Sequence, residues 1–508
     1  EITAADIRAH RAAAAARHGP GALLDPDDPA DDDDDEGPDP DEGLFRRVYS
    51  EAELQTVPVP PSEPVKTVSV VFAAHNEHQY LERTLEWTCK QTPADVLIEI
   101  ILVDDASTPP MEPAKHHCAE QKVLRNEQRQ GLIRSKQRGA NEATGDLIVF
   151  LDAHVKPEKN WIQPILKHVN ENYKRVVVPI IPILDGDTWQ EDDSVYGVKM
   201  MFDWSMFFNW FIDDDDLVPC MSGGLLAITK RWWHESGEYD PGMGTWGGEN
   251  IEQSIRIWLC GGEIVVARDS RVAHMFRKTF PYKVNSTDLM INKIRAVEGW
   301  FDQWKDRFYE ADPSALRFRN SVGDLSERQE LKTRLQCKPF DWYVQKFRQV
   351  FETKNMLPVD TFSLRETRST GGQCLAAAED ATRLEMRMCD DREDATRFVE
   401  NGLRIKSVSA HKCLDANGGA LDKDGVQILL YPCMGNSDNQ EWALDDRGYL
   451  KWGTFCAYLS GQDTFKTVDL GPCGGAGSLR GRAGSSRVLL KFERDSPRRV
   501  NFLPPEHR

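Results

Sequence analysis

No run of about 18 apolar residues occurs in this 508-residue chain, so nothing in it has the texture of a bilayer-spanning helix. It begins without an initiator Met and without a charged, then apolar, leader. We expect it to continue upstream of residue 1 into an N-terminal anchor absent from this chain; a cytosolic protein is the plainer alternative. A basic arm with interleaved aromatics is also missing, which argues against nucleic acid as a main partner. CxxC pairs and Cys/His zinc spacings are missing too.

The formal charge of −19 is concentrated at one end. Residues 1–64 hold 17 acidic and 5 basic side chains, a net of −12, leaving about −7 for the rest. That segment contains the run Asp31 to Asp35 and ends in a Pro-rich stretch. It has too little apolar surface to offset its ordering entropy, and reads as a flexible acidic stem. Six of the eleven cysteines, Cys374, Cys389, Cys413, Cys433, Cys456 and Cys473, fall at regular intervals near the C-terminus. Adjacent pairing, Cys374–Cys389, Cys413–Cys433 and Cys456–Cys473, would close three small loop-rich units in an oxidising compartment, although six cysteines admit many connectivities.

From residue 65 the texture changes. Val68 to Ala74, Ile98 to Val103 and Leu147 to Leu151 are almost continuous apolar runs rich in β-branched residues. Helical periodicity occupies Glu77 to Lys90 and Gly131 to Ala143 between them, and a long helix is expected from Asn285 to Tyr309. Strands buried on both faces and alternating with helices predict a Rossmann-like, mostly parallel sheet over residues 65–358. Residues 359–508 read as a linker and an all-β module of three short-stranded repeats, a trefoil.

Ligands of such sheets sit beyond the carboxyl ends of the strands, so the polar residues that follow each run are the candidates. They are Asn76-Glu77, Asp104-Asp105 and Asp152-Ala153-His154. Asp152 and His154 lie two apart on an extended chain and so face one side, where both reach one cation. A carboxylate with a neutral imidazole suits Mn2+ better than Ca2+. Taken alone, these three residues are better explained by a capped strand end with a hydrogen-bonded His.

The motif stands among other ordered blocks. These are His75-Asn76-Glu77, Gly131-Leu132-Ile133-Arg134-Ser135, Gly223-Gly224, Trp246-Gly247-Gly248-Glu249-Asn250, His274-Met275-Phe276-Arg277 and Cys337 to Tyr343. In order and spacing the chain from about Val65 to the C-terminus resembles the polypeptide N-acetylgalactosaminyltransferases, which start mucin-type O-glycosylation. The resemblance implies a GT-A catalytic domain and a ricin-type β-trefoil lectin domain. It implies Mn2+, the donor UDP-GalNAc, and transfer to Ser or Thr of peptide and glycopeptide acceptors with retention at the anomeric carbon. It places the full-length protein in the Golgi lumen as a single-pass type II membrane protein.

Carried over by position, Asp152, His154 and His274 are the metal ligands. His75, Asp105, Arg129, Ala153, Gly223 and Gly224 fall at the nucleotide and donor. Trp246 lies by the acceptor and leaving group, Glu249 and Asn250 approach the donor sugar, and Arg277 and Tyr282 belong to a loop closing over the diphosphate. The resemblance pairs Cys260 with Cys337 and assigns no partner to Cys89, Cys118 or Cys220. A front-face transfer is expected, with Glu249 as covalent nucleophile the alternative. The middle C-terminal repeat resembles a ricin-type sugar site, with Asp415, Tyr431 and Asn439 around GalNAc of a glycopeptide and Gln440 and Trp442 in the QxW core signature. The first and third repeats lack the Asp.

Three features depart from the family pattern. Ala73-Ala74 replaces a Thr-Phe pair, Phe280 replaces a lid His, and Ala267 replaces a frequent Cys. They leave open a rival, a catalytically inactive lectin-like GalNAc-binding protein, and a third reading with another donor or acceptor. The sequon Asn285-Ser286-Thr287 is expected by chance.

Overall fold

The computed structural model describes residues 45–112, 118–213, 215–277, 285–354, 356–357, 359–368, 372–390, 394–401, 403–417, 424–434, 437–462, 465–473, 478–480, 486–495 and 498–500. The apolar runs form β1 (Val68–Ala74), β2 (Leu97–Asp105) and β4 (Leu147–Leu151), with β3 at Glu120–Asn126. They belong to a nine-stranded sheet completed by β5 (Val155–Pro157), β6 (Arg175–Leu184), β7 (Glu191–Gly197), β10 (Leu226–Thr229) and β11 (Glu263–His274). A separate hairpin, β8 (Lys199–Phe202) with β9 (Phe208–Phe211), lies outside it.

Strand order is β3-β2-β1-β4-β10-β6-β11-β5, with β7 on β6. The first four strands are mutually parallel; β10 runs antiparallel to both β4 and β6. Parallel register sets Ala74 opposite Asp104 and Phe72 opposite Leu151, so three strands end side by side.

The alternation of β1 explains the layers. Val70 and Phe72 join the core formed with Leu81 and Leu85 of α1 (Leu81–Gln91) and Ile162 and Ile165 of α3 (Ile162–Glu171). Val71 faces the other way, against α2 (Leu132–Asn141), where a Cβ on Gly139 would lie 2.4 Å from Val71 Cγ1. Helices therefore cover both faces, which is why these strands read as unbroken apolar runs.

One carboxylate is spent entirely on this scaffold. Glu99 is buried, bonds Ser69 Oγ at 2.5 Å, Thr144 Oγ1 at 2.7 Å and Lys122 Nζ at 2.6 Å. Burial alone would raise its pKa, but these donors bring it down from 4.5 to about 2. A depressed folded pKa makes the contribution full above the unfolded value and lost as pH falls through the folded one. Glu99→Gln is expected to cost about 1.5–3 kcal/mol at pH 7. In chemical denaturation between pH 4.5 and 2, it should also flatten the acid loss of stability seen in the parent.

The stem expectation needs shortening. Residues 49–64 are tied to the catalytic body, with Tyr49 N on Gln345 Oε1 at 2.9 Å, Thr56 Oγ1 on Glu263 Oε2 at 2.8 Å and Tyr173 N on Val59 O at 2.9 Å. Backbone partners replace the apolar contacts this segment lacks; residues 1–44 lie outside the described residues. The long helix is also divided. It runs as Ser286–Trp300, then a 3-10 turn at Asp302–Trp304, then Lys305–Ala311. The break at Asp302 (φ 50°) lets Phe301 stack on Phe340 at 4.4 Å and Trp304 on Trp204 at 5.5 Å.

Five disulfides occur among the described residues. Cys260–Cys337, Cys374–Cys389, Cys413–Cys433 and Cys456–Cys473 are joined. So are Cys89 and Cys118, which sequence reasoning left unassigned, while Cys220 is buried and free. The C-terminal module closes on itself: Val359–Thr361 pairs with Arg498–Val500, and Leu364–Glu366 with Phe492–Arg494. Leu375, Leu414, Ala457 and Trp442 meet in its main core. No helix among the described residues is long and apolar enough to cross a membrane.

Candidate active site

A cleft of about 480 Å3 opens where β1, β2 and β4 end. At its floor Asp152 Oδ2 lies 3.2 Å from His274 Nε2, the last residue of β11, and the His154 and His274 rings are 4.9 Å apart. One ligand atom from each of the three residues lies within 4.8 Å of the others. Two metal–ligand bonds of about 2.1 Å span roughly 4.2 Å, so small side-chain movements close the set on one ion.

The electrostatics suit a divalent cation. Burial would raise the Asp152 pKa, but Lys136 first, and then His274 and His154, hold it well below the ordinary range, so it is a carboxylate at neutral pH. Burial pushes His274 down, keeping it a neutral imidazole with a lone pair to give. His154 turns Nδ1 toward Glu77 Oε2 at 3.5 Å, which leaves its Nε2 for the ion. Gly224 lies so close that a Cβ there would be 2.8 Å from Asp152 Oδ2, the physical reason for glycine at this point.

The other candidates divide by what they touch. Asp104 is structural: it accepts from Ser107 N at 2.9 Å and Met111 N at 3.1 Å and pairs with Arg125. Asp105 lines the cleft but is already held by Gln130 N (2.7 Å), Gly131 N (2.9 Å) and Asn126 Nδ2 (2.9 Å), with Arg129 Nε at 3.7 Å. His75 Nδ1 contacts Asp105 O at 2.7 Å, and Ala153 lies buried in the cleft wall. Asn250 spends its amide on Met221 O at 3.1 Å, and Gly223 O accepts from Lys136 Nζ at 2.8 Å. Beyond α4 (Lys230–Glu235), Glu249 opens α5 (Glu249–Leu259) after Gly248, whose φ of 85° only glycine adopts freely. Its carboxyl is buried, with Oε2 lacking any protein partner, and burial raises its pKa. Trp246 lines the same cleft, and Arg277 pairs with Glu77. Tyr282 and Phe280 lie outside the described residues. Asn285 caps the next helix, its Oδ1 accepting from Thr287 N at 3.0 Å.

Sequence reasoning missed two groups and gave Glu77, a candidate, no role. Lys136, buried, reaches Asp152 Oδ1 at 3.7 Å, and Glu77 braces both His154 and Arg277. Phe208, Trp210 and Phe276 form an aromatic wall of the cleft, with Trp210 and Phe276 edge to face at 6.2 Å. Phe276 remains 43% exposed, too open for a core ring; the sequence places it in the His274–Arg277 block but assigns it no role.

The glycosyl transferase family 2 model matches residues 69–231, and the ricin-type β-trefoil lectin domain model matches residues 349–442 and 401–481. The chain is 31% identical over 441 residues to polypeptide N-acetylgalactosaminyltransferase 14 of Homo sapiens, covering 74% of this chain and 79% of that one. The chain belongs to the polypeptide N-acetylgalactosaminyltransferase family. It is also 38% identical over 336 residues to probable N-acetylgalactosaminyltransferase 6 of Caenorhabditis elegans, covering 61% of this chain and 54% of the relative. Against a crystal structure of GalNAc-T7 with UDP, GalNAc and Mn2+ the TM-score is 0.52 at 28% identity, with 80% of each chain covered. The GT-A sheet and the trefoil stand in the order of the two matched family models.

Hydrogen bonds order the candidate residues of the middle lectin repeat. Asp415 Oδ1 accepts from Asn417 N at 2.8 Å and Oδ2 from Gln440 Nε2 at 3.0 Å, while Trp442 Nε1 donates to Leu414 O at 2.9 Å. Tyr431 stands on the neighbouring strand, 52% exposed, and Asn439 O accepts from Ala416 N at 2.9 Å.

Proposed function

We propose that this chain transfers N-acetylgalactosamine from UDP-GalNAc to Ser and Thr hydroxyls of polypeptides, with retention, in the Golgi lumen. The observation that carries the reading is the convergence of Asp152, His154 and His274 in one cleft with Glu249 and Trp246. Those three side chains would hold Mn2+, which when bound offsets charge growing on the departing diphosphate. Asp105 and Arg129 flank the nucleotide, and Lys136 keeps the Asp152 carboxylate charged and turned inward.

The C1–phosphate bond breaks as the bond from C1 to the acceptor oxygen forms on the same face, and the hydroxyl proton passes to the departing β-phosphate. Glu249, buried with an unpartnered oxygen, orients the sugar in this scheme. The wall of Phe208, Trp210 and Phe276 offers flat apolar surface for an extended acceptor, and Arg277 lines the same cleft.

Incubation with UDP-GalNAc, Mn2+ and Thr-rich peptides, read by mass spectrometry, is expected to give GalNAc on peptide. UDP binding without transfer would favour the inactive lectin-like reading. We further propose that Asp415, Tyr431 and Asn439 hold GalNAc already on an acceptor. Asp415→Ala is then expected to bring the ratio of glycopeptide to bare-peptide rates down to about one. An equal fall on both peptides would contradict this division of labour. Since Asp415 also carries Gln440, a melting curve should accompany the assay.

A further inference from the structure

A small apolar cluster lies beside the metal-binding residues, apart from the main core. It comprises Leu184, Trp189, Ala273 and Met275, with Tyr80 and Trp87 against it. Trp189 closes the turn that begins at Asp185, its N–H donating to Asp185 O at 2.9 Å. Its φ is 62°, a left-handed conformation that a bulky residue holds only when its surroundings impose it. Its indole Nε1 is buried with no hydrogen-bond partner. Both features disfavour Trp at this point as far as folding is concerned.

The ring nevertheless lies at the start of a stack that leads to the site. Trp189 stacks on Tyr80 with centroids 6.4 Å apart and planes at 14°. Tyr80 meets His154 edge-on at 6.5 Å, and the Arg277 guanidinium lies over Tyr80 at 5.6 Å. On its other side the cluster grips Ala273 and Met275, the neighbours of His274. Gly186 of the same turn is close enough that a Cβ would be 2.4 Å from Met275 Sδ. His274 Nδ1 has no hydrogen-bond partner, so packing fixes its ring where a second-shell acceptor ordinarily would.

We propose that Trp189 is a positioning residue for the two imidazoles and Arg277, acting through Tyr80 and the end of β11. The inference rests on the reading of Asp152, His154 and His274 as metal ligands. Trp189→Leu removes the stack; Trp189→Phe keeps an aromatic ring in it. Mn2+ binding to each full-chain variant, without nucleotide, is read from the free-ion electron paramagnetic resonance signal, with melting curves in parallel. We expect the dissociation constant to rise about tenfold for Trp189→Leu and to stay within about twofold for Trp189→Phe. Should Trp189→Leu fail to fold, Tyr80→Leu against Tyr80→Phe gives the same contrast. A folded leucine variant with parental Mn2+ affinity, or a phenylalanine variant as weak as the leucine one, overturns the proposal. Asp152→Ala is the reference: if it binds Mn2+ as the parent does, the ligand reading itself fails. If it loses Mn2+ while Trp189→Leu does not, only the positioning role fails.

Discussion

Asp152→Ala is expected to lower kcat/KM for sugar transfer by about 10³-fold or more, roughly 4 kcal/mol of transition-state stabilisation. Asp152 is the one anion among the three proposed ligands. Without it, two imidazoles remain, and the buried Lys136 ammonium, 3.7 Å from the missing carboxylate, loses its ion-pair partner at the site. That charge opposes a divalent ion, so affinity for Mn2+ and Mn2+-dependent affinity for UDP should fall together. Asp152→Asn keeps the shape and removes the charge, so it separates electrostatics from packing. Initial rates and UDP titrations with and without Mn2+ check both variants. Transfer by Asp152→Ala within about tenfold of the parent would remove the residue from the metal site.

Glu249→Gln is expected to lower kcat by about 10²- to 10³-fold while Mn2+–UDP affinity stays within about threefold. The two substitutions differ because Glu249 sits at the start of α5, not in the ligand set. Its unpartnered Oε2 is buried in the wall of the cleft, where a sugar hydroxyl can supply the missing hydrogen bond. Gln has the same outline but replaces one acceptor by a donor. UDP titration calorimetry with single-turnover rates separates binding from chemistry. A comparable loss in UDP affinity would instead place Glu249 at the nucleotide. If Glu249 were the covalent nucleophile, the parent incubated with donor alone would show a sugar adduct on it by intact-protein mass spectrometry; a front-face transfer leaves none.

Much of the scaffold was legible because burial on both faces leaves an unmistakable pattern. Leu147–Leu151 is apolar throughout and Val68–Ala74 apolar but for Ser69, and both form strands over those same residues. The polar residues after them had to lie at the ligand-binding edge, which made Asp152 and His154 visible before any coordinates. His274 could be found only through resemblance, since nothing local marks it and 120 residues of chain or more separate it from Asp152.

What stayed hidden depended on contacts between distant segments. Asp104 and Asp105 are adjacent and alike in sequence, but strand alternation buries one on Arg125 and points the other to the cleft. Lys136 reads as an ordinary helical lysine, and only the approach of α2 to Gly223 and Asp152 gives it partners. Cys89 and Cys118 carry no local pairing signal, because a whole strand of the parallel sheet lies between them in sequence. The single long helix was expected although Gly299 stands three residues before Asp302; aromatic stacking of Phe301 and Trp304 outweighs continuous helical bonding there.

The most direct test is an anomalous-scattering map from crystals grown with Mn2+ and UDP. The expected result is one manganese peak within bonding distance of Asp152, His154 and His274, with the diphosphate on its open side. A peak elsewhere, or UDP bound in the cleft with His274 turned away and no ion beside it, would contradict the assignment of this site.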